Sequence, residues 1–350
     1  MTGSTAKRQP PVAAVFAIST AGLIGGVLLA LSVGEVDISP AAAIGILFDH
    51  GGVDLGIEFT EQQDSVLWAI RLPRVVLGVL VGAALGVSGA ALQGIFRNPL
   101  ADPQLIGISS GAALGSAIAV LALESLVGSL AGPAGAVVGG LVAGIAVYGA
   151  ARYQGRTEVV TLVLAGIAVA AIGGAGAAFL SVFADDPRLG SPIFYSLGTL
   201  GLATWRLVAI TLPFVVVAIV LLPTRAASLD LVLLGEREAS HLGVDIERLR
   251  LQVMVLVSLG VGGVVAAAGV IGFVGLLVPH AIRIVVGPGH RVLLPASALG
   301  GAALVVISDV VARTVASPLE VPIGLLTAIV GGPLFLGLLR KTRREHGGWG

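Results

Sequence analysis

The sequence predicts an all-α polytopic membrane protein of about ten transmembrane helices, and two observations carry that prediction. Of 350 residues, 56% are hydrophobic and 11% charged, with a mean hydropathy of +1.02, and apolar runs long enough to cross a bilayer recur along the chain. The short alternating strands of a membrane β-barrel are absent, which leaves the helix as the way to satisfy the backbone in lipid. With no cysteine, the chain has neither a disulfide framework nor a thiolate metal site. A single transmembrane domain over residues 1–350 is expected.

Reading apolar stretches between charged or turn-rich breaks places spans at 12–33, 75–95, 105–123, 127–148, 159–183, 207–222, 251–268, 270–286, 293–311 and 321–339. The first run follows Lys7 and Arg8 in the manner of a secretory signal, but it is long and has no convincing cleavage site, so it reads as a retained first span. The uncharged stretch from Leu251 to Val286 needs a break, and Gly269 and Gly272 mark it.

Basic residues set the orientation. With a cytoplasmic N-terminus and alternating helices, all but five of the 20 Lys and Arg residues fall on or beside cytoplasmic segments, including Arg340, Lys341, Arg343 and Arg344. Both termini are then cytoplasmic. The loop at 34–65 lies outside, with seven acidic residues (Glu35, Asp37, Asp49, Asp54, Glu58, Glu61 and Asp64) and no Lys or Arg. The five exceptions are Arg71, Arg74, Arg188, Arg206 and Arg313, and snorkelling at helix ends is their ordinary explanation. Arg71 and Arg74 flank Pro73 just after the acidic loop and form a paired basic site on the outer face, where an acidic partner could dock.

The charged island from Gly235 to Gln252 stands out in an otherwise greasy chain. Charge is expensive in lipid, so the island lies in water, and its spacing suggests short helices that another protein could grip. It belongs to a cytoplasmic loop at 224–250.

The 51 glycines include several at four-residue spacing: Gly82 and Gly86; Gly107, Gly111 and Gly115; Gly135 and Gly139; Gly140 and Gly144. Small residues one turn apart let helices approach closely, so tight helix packing is expected there. Asp309 and Arg313, also one turn apart, can neutralise each other, and a structural role at the rim suits them better than a proton relay. His280 and His290 read as solvated residues near helix ends, without a second metal ligand at helical spacing. The chain has only two lysines, Lys7 and Lys341, and no phosphate-binding GxxxxGK[ST] loop; it cannot be an ATPase of that type, and no HExxH zinc motif is present. An ion-driven secondary transporter is disfavoured by the scarcity of intramembrane carboxylates, and a membrane-embedded enzyme by the lack of a catalytic constellation.

Three ordered blocks resemble the FecCD family of ABC-importer permeases: RLPRVVLGVLVGAALGVSGAALQGIFRNPLADPQLIGISSGAALG from Arg71, GVIGFVGLLVPHAIRIVVGPGHRVLLPASALGGA from Gly269, and SDVVARTVASPLEVPIGLLTAIVGGPLFLGLL from Ser308. The resemblance implies a type II ABC-importer permease architecture in the cell membrane. It further implies a homodimer with the path at its interface, two ATP-binding subunits on the cytoplasmic face and an extracytoplasmic substrate-binding protein. ATP and Mg²⁺ belong to the partner subunits; neither a cofactor on this chain nor a nucleic-acid partner is expected.

By the same resemblance the coupling segment falls on Glu236 to Arg250, with Glu236, Arg237, Glu238, His241, Leu242, Gly243, Asp245 and Arg248 as its ATPase-coupling residues. Arg71, Arg74 and Arg313 would meet acidic residues of the binding protein. The path would follow the fifth and tenth helices, with Arg156, Thr157 and Thr161 at the cytoplasmic gate, although a threonine at a helix start commonly serves as a cap. The stretch from Thr161 to Trp205 is more similar to haem-type members than to vitamin B12 permeases, which makes haem the leading substrate and a ferric siderophore or vitamin B12 the alternatives. Arg188 is the basic residue available to a haem propionate, slightly displaced from the position such members use.

Overall fold

The computed structural model describes residues 12–153, 156–157, 159–182, 197–317 and 319–345, and helices dominate them. The first long helix, α1 (Val12–Ser32), leads through α2 (Pro40–His50) to α3 (Glu61–Val66). A capping box starts α3: the Thr60 hydroxyl accepts from the Gln63 amide, and the Gln63 side chain accepts from the Thr60 amide. Helix continues through one π turn at Leu67–Arg71 into α4 (Leu72–Ile95). Pro73 has no N–H to give the preceding turn, and the wider turn opens immediately before it.

The hairpin α5 (Ile108–Val127) and α6 (Ala131–Ala151) follows, then two short antiparallel strands, β1 (Arg152–Tyr153) and β2 (Arg156–Thr157), with Arg152 opposite Thr157. Next come α7 (Val159–Ser181), α8 (Trp205–Leu221), the short α9 (Ala226–Val232) and α10 (Glu236–His241), and α11 (Ile246–Ala268). The chain ends in α12 (Val274–Val286), α13 (His290–Thr314) and α14 (Ile323–Glu345). The two-residue strands are the one departure from an all-α reading among the described residues.

Seven segments among the described residues are long and apolar enough to span a bilayer. One of them, Ile108–Ala151, contains the α5–α6 hairpin, turning at Gly128. The apolar helix Val274–Val286 is shorter; its 13 residues reach about 20 Å, less than the ~30 Å of a typical hydrocarbon core, and the apolar stretch Ile323–Phe335 is the first part of the 23-residue α14. The expected ten crossings are therefore met only in part. The anticipated break after α11 does occur, with Gly269 and Phe273 both at positive φ and α12 starting at Val274.

Helix α4 is the axis of the fold. Its span is 89% buried in the protein, against 11% for α1, whose Ile18, Ile24 and Leu29 remain exposed where lipid would cover them. Burial on this scale requires small residues. A Cβ on Gly82 would meet the backbone of Gly301, and one on Gly86 would meet the carbonyl of Ser297, so α4 and α13 run antiparallel at backbone contact. The α5–α6 hairpin is built likewise, with Gly115 against Gly135 and Gly139. The four-residue glycine pattern thus marks helix-to-helix seams.

Gly86→Ala should place a methyl group into the α13 backbone and destabilise the protein by about 1–3 kcal/mol. Gly149→Ala meets nothing within 4 Å and should have little effect. Thermal unfolding of the two variants in the same detergent checks this expectation.

Candidate functional site

Because α4 and α13 are antiparallel, the start of α4 lies beside the end of α13, and the end of α4 beside the start of α13. Charged groups gather at both ends. At the first, the Arg74 guanidinium forks onto Asp309: Nε donates to both carboxylate oxygens at 3.0 Å and Nη2 to Oδ1 at 2.9 Å. Its Nη1 donates to Glu320 Oε1 at 2.7 Å, in the connection leading into α14. Asp309 is buried; Glu320 is not.

Two further arginines hold the end of α1, whose last carbonyls have no partners within their own helix. Arg71 donates through Nη1 to the carbonyls of Leu31 at 2.6 Å and Ser32 at 3.0 Å, and through Nη2 to Val36 at 2.5 Å. Arg313 donates to the carbonyl of Ala30, and its Nε is 3.9 Å from Asp309 Oδ2. Trp68 and Trp205 lie at this same end, joined by the Trp205 indole N–H to the Trp68 carbonyl at 2.9 Å, a composition suited to a membrane–water boundary.

This geometry corrects two expectations. Arg71 and Arg74 are not an open basic pair on the surface, because both are buried and engaged within the chain. Asp309 is held chiefly by Arg74, with Arg313 more distant. Helical spacing could reveal the neighbour four residues away, whereas the Arg74–Asp309 contact spans 235 positions and depends on the α4–α13 crossing. Glu320 escaped sequence reasoning for the same reason.

The opposite end carries the charged island. Helix α10, the turn after it and the first turn of α11 expose Arg237, Glu238, His241, Leu242, Gly243, Asp245 and Arg248. Asp245 caps α11 by accepting from the Arg248 amide at 3.0 Å, and Gly243 takes the positive φ of the turn. Glu236 is half-buried and paired with Arg250. The buried Arg250 also reaches Glu247 at 3.1 Å and the Tyr148 hydroxyl at 3.3 Å, fastening α10 to α11 and α6. The island is thus a rigid surface on an anchored base.

A second fastening lies beside it. Asp230 of α9 accepts from the His290 amide at 2.7 Å, and the His290 ring Nδ1 is 2.8 Å from the same oxygen. His290 is buried, contrary to the solvated position expected from its turn, and its Nε2 faces Gly94 at the end of α4 without a hydrogen-bond partner. Asp102, in the loop between α4 and α5, is also buried; loss of solvation pushes its carboxyl up to about 6, although it accepts amide hydrogen bonds from Gln104 and Leu105.

Arg156 and Thr157 belong to β2, their side chains lying outside the described residues, and Thr161 is half-buried in the first turn of α7. Arg188 lies outside the described residues. Gly107 to Gly111 has the G-x-S-x-G spacing of a nucleophile elbow, but Ser109 is buried at the start of α5 after a loop, where an elbow would follow a strand. Among the described residues no group of three or more His, Asp or Glu could hold a metal ion.

The profile of the FecCD transport family matches residues 22–341. The chain belongs to the FecCD transport family. The cobalamin import system permease protein BtuC of Halobacterium salinarum is 46% identical over 280 residues, covering 80% of this chain and 74% of that protein. The hemin transport system permease protein HmuU of Yersinia pestis is 43% identical over 295 residues, covering 83% and 88%. The Fe(3+)-citrate import system permease protein YfmD of Bacillus subtilis is 36% identical over 344 residues, covering 97% and 98%. A solved structure of a proposed metal-chelate type ABC transporter in an inward-facing conformation superposes with a TM-score of 0.75 at 30% identity, covering 95% of this chain and all of that one. This FecCD protein is accordingly an integral membrane permease, the transport subunit of an ABC importer of the metal-chelate, B12 and haem type.

Arg74→Leu should cost about 3–5 kcal/mol, because it strands the Asp309 carboxylate in a buried site. Adding Asp309→Leu should recover much of that loss. Additive losses in thermal unfolding of the single and double variants would show that the pair is not coupled.

Proposed function

We propose that this permease forms, as a homodimer, the membrane path of a haem importer with both termini in the cytoplasm. The observation that carries the transport reading is the placement of two unlike charged ends on one helix pair. The exposed island at the α10 end suits a surface that ATP-binding subunits grip, while the arginine cluster at the other end suits a substrate-binding protein. In this reading ATP and Mg²⁺ are bound by the partner subunits and none by this chain.

ATP binding draws the partner subunits together, and they move α10. Arg250 passes that movement to α11 and α6, and the Asp230–His290 contact passes it to α13 and the end of α4. The close glycine seams let α4 and α13 move as a unit, so the helices rock and the path opens alternately to the two faces. The gate is assigned to the β2–α7 segment with Arg156, Thr157 and Thr161, and the path to α7 and α14.

Haem as substrate is supported by the Thr161 to Trp205 stretch and by the Yersinia pestis hemin permease, which aligns over most of both chains. Arg188 is the candidate partner for a propionate. Cobalamin is the second reading, favoured by the Halobacterium salinarum relative. Both candidates are metal-centred tetrapyrrole-type macrocycles with polar groups at the edge.

Neutralising only the exposed island residues Arg237, Glu238 and Arg248, with Glu236 and Arg250 left in place, should lower transport at least tenfold and weaken retention of the ATP-binding subunit while thermal stability stays near the wild-type value. Undiminished substrate-stimulated ATP hydrolysis in this variant would refute the coupling assignment. For the substrate, uptake into proteoliposomes should be greater for hemin than for cobalamin or ferric citrate, each supplied on its matching binding protein, and Arg188→Ala should reduce hemin uptake most. Robust cobalamin uptake with none of hemin would select the second reading.

A further inference from the structure

We propose that Glu320 is an exchangeable carboxylate: it holds, on Arg74, the place that an acidic residue of the docking protein takes, and its release loosens the segment leading into α14. The proposal rests on the docking reading above and adds how docking is sensed. Its basis is the difference between the two carboxylates on one guanidinium. Asp309, with its side chain 3% exposed, is gripped by three hydrogen bonds from two nitrogens. Its departure would leave a buried charge unpaired. Glu320, with its side chain 47% exposed, is held to Arg74 through Nη1, and ion pairs open to water are individually weak. A carboxylate arriving from solvent therefore meets Arg74 on the side that Glu320 occupies.

The neighbouring charges favour an exchange. Three guanidiniums, on Arg71, Arg74 and Arg313, are matched by three carboxylates: Asp309 and Glu320, and Asp37, whose charge acts on Arg71. Arg71 and Arg313 are otherwise engaged by main-chain carbonyls of α1 and the turn after it. An incoming acid keeps this balance when Glu320 leaves as it arrives, which makes the event an exchange.

Release of Glu320 has a route to the transport path. The residue lies three positions before α14 starts at Ile323, and its second carboxylate oxygen overlies Gly201, where a Cβ would sit 2.8 Å away. The start of α14 also packs through Gly324 on the carbonyl of Leu197. Glu320 thus ties the entry of α14 to α4 and lies against the turn before α8. Breaking the tie leaves α14 held by its packing and by the Val321 amide to Ala312 carbonyl bond at 3.0 Å.

The test uses the transporter assembled with its ATP-binding subunit in lipid nanodiscs and the binding protein that supports its transport. Because the chain has no cysteine, Leu319→Cys provides a single spin-label position beside Glu320. Glu320→Gln should tighten docking about two- to fivefold at low salt, the range that removal of a competing exposed ion pair allows. In the otherwise wild-type chain the label should gain mobility when the binding protein is added; with Glu320→Gln it should be mobile beforehand and docking should not change it. Arg74→Lys keeps a cation on Asp309 but loses the fork, so it should weaken docking. If Arg74→Lys weakens docking while Glu320→Gln does not tighten it, or if the wild-type label is unmoved by docking, the exchange is overturned and the docking reading survives. If docking ignores both Arg74→Lys and salt, the docking reading falls and the exchange falls with it.

Discussion

A guanidinium buried near the end of a membrane helix needs acceptors within reach, and α13 brings the buried carboxylate of Asp309 to Arg74. The Arg74–Asp309 fork therefore fixes how α4 and α13 align along their length. That alignment sets Gly82 against Gly301 and Gly86 against Ser297, and one helix turn of slippage would bring side chains into backbone while separating the charges. Charge pairing and close packing enforce the same register. With α4 placed, α11 and α12 pack around it, and α1 is pinned to the outside by Arg71 and Arg313.

The shared register also joins the two ends of the molecule. His290 begins α13, receives α9 through Asp230 and abuts Gly94 at the end of α4. Its buried Nε2 has no hydrogen-bond partner among the described residues. A displacement of α9 thus reaches the same helix pair that ends in the Arg74 cluster. An ABC importer needs such continuity, because hydrolysis occurs on one side of the membrane and delivery on the other. Stiff helices in backbone contact supply it without any long-range chain of side-chain switches.

The fold was largely legible in the sequence because its signals are local: uninterrupted apolar runs, glycines one turn apart, and the break at Gly269 before α12. The Glu236 to Arg250 island was legible for the same reason, since charge in a greasy chain must reach water. What stayed hidden depends on crossings between distant segments. Arg71 and Arg74 looked like an open pair because their actual partners are remote in sequence; the Leu31 carbonyl lies 40 positions away and Asp309 lies 235 away. His290 looked solvated because its GPGHR turn is polar, whereas the aspartate that buries it sits 60 residues upstream on α9. The number of crossings is less legible, because apolarity measures preference for lipid and not helix length, and α12 has only 13 residues; the described helices leave the count of ten unconfirmed.

Both ends use the same electrostatic device in different ways. At each, a buried arginine is shared between the protein interior and a carboxylate that reaches water: Arg74 with Asp309 and Glu320, Arg250 with Tyr148, Glu236 and Glu247. A cation so placed cannot leave without stranding its buried partners, but its exposed carboxylate can be rehydrated, so the scaffold stays fixed while the surface stays responsive. At the α10 end Arg250 has two outer carboxylates and an aromatic hydroxyl, and losing one leaves the joint closed; that suits a lever which must carry force. At the Arg74 end Glu320 is the single water-exposed carboxylate on the fork, and losing it opens a joint next to α14; that suits a sensor. In the proposed reading, the number of outer carboxylates on each buried arginine separates the end suited to transmit movement from the end suited to detect a partner.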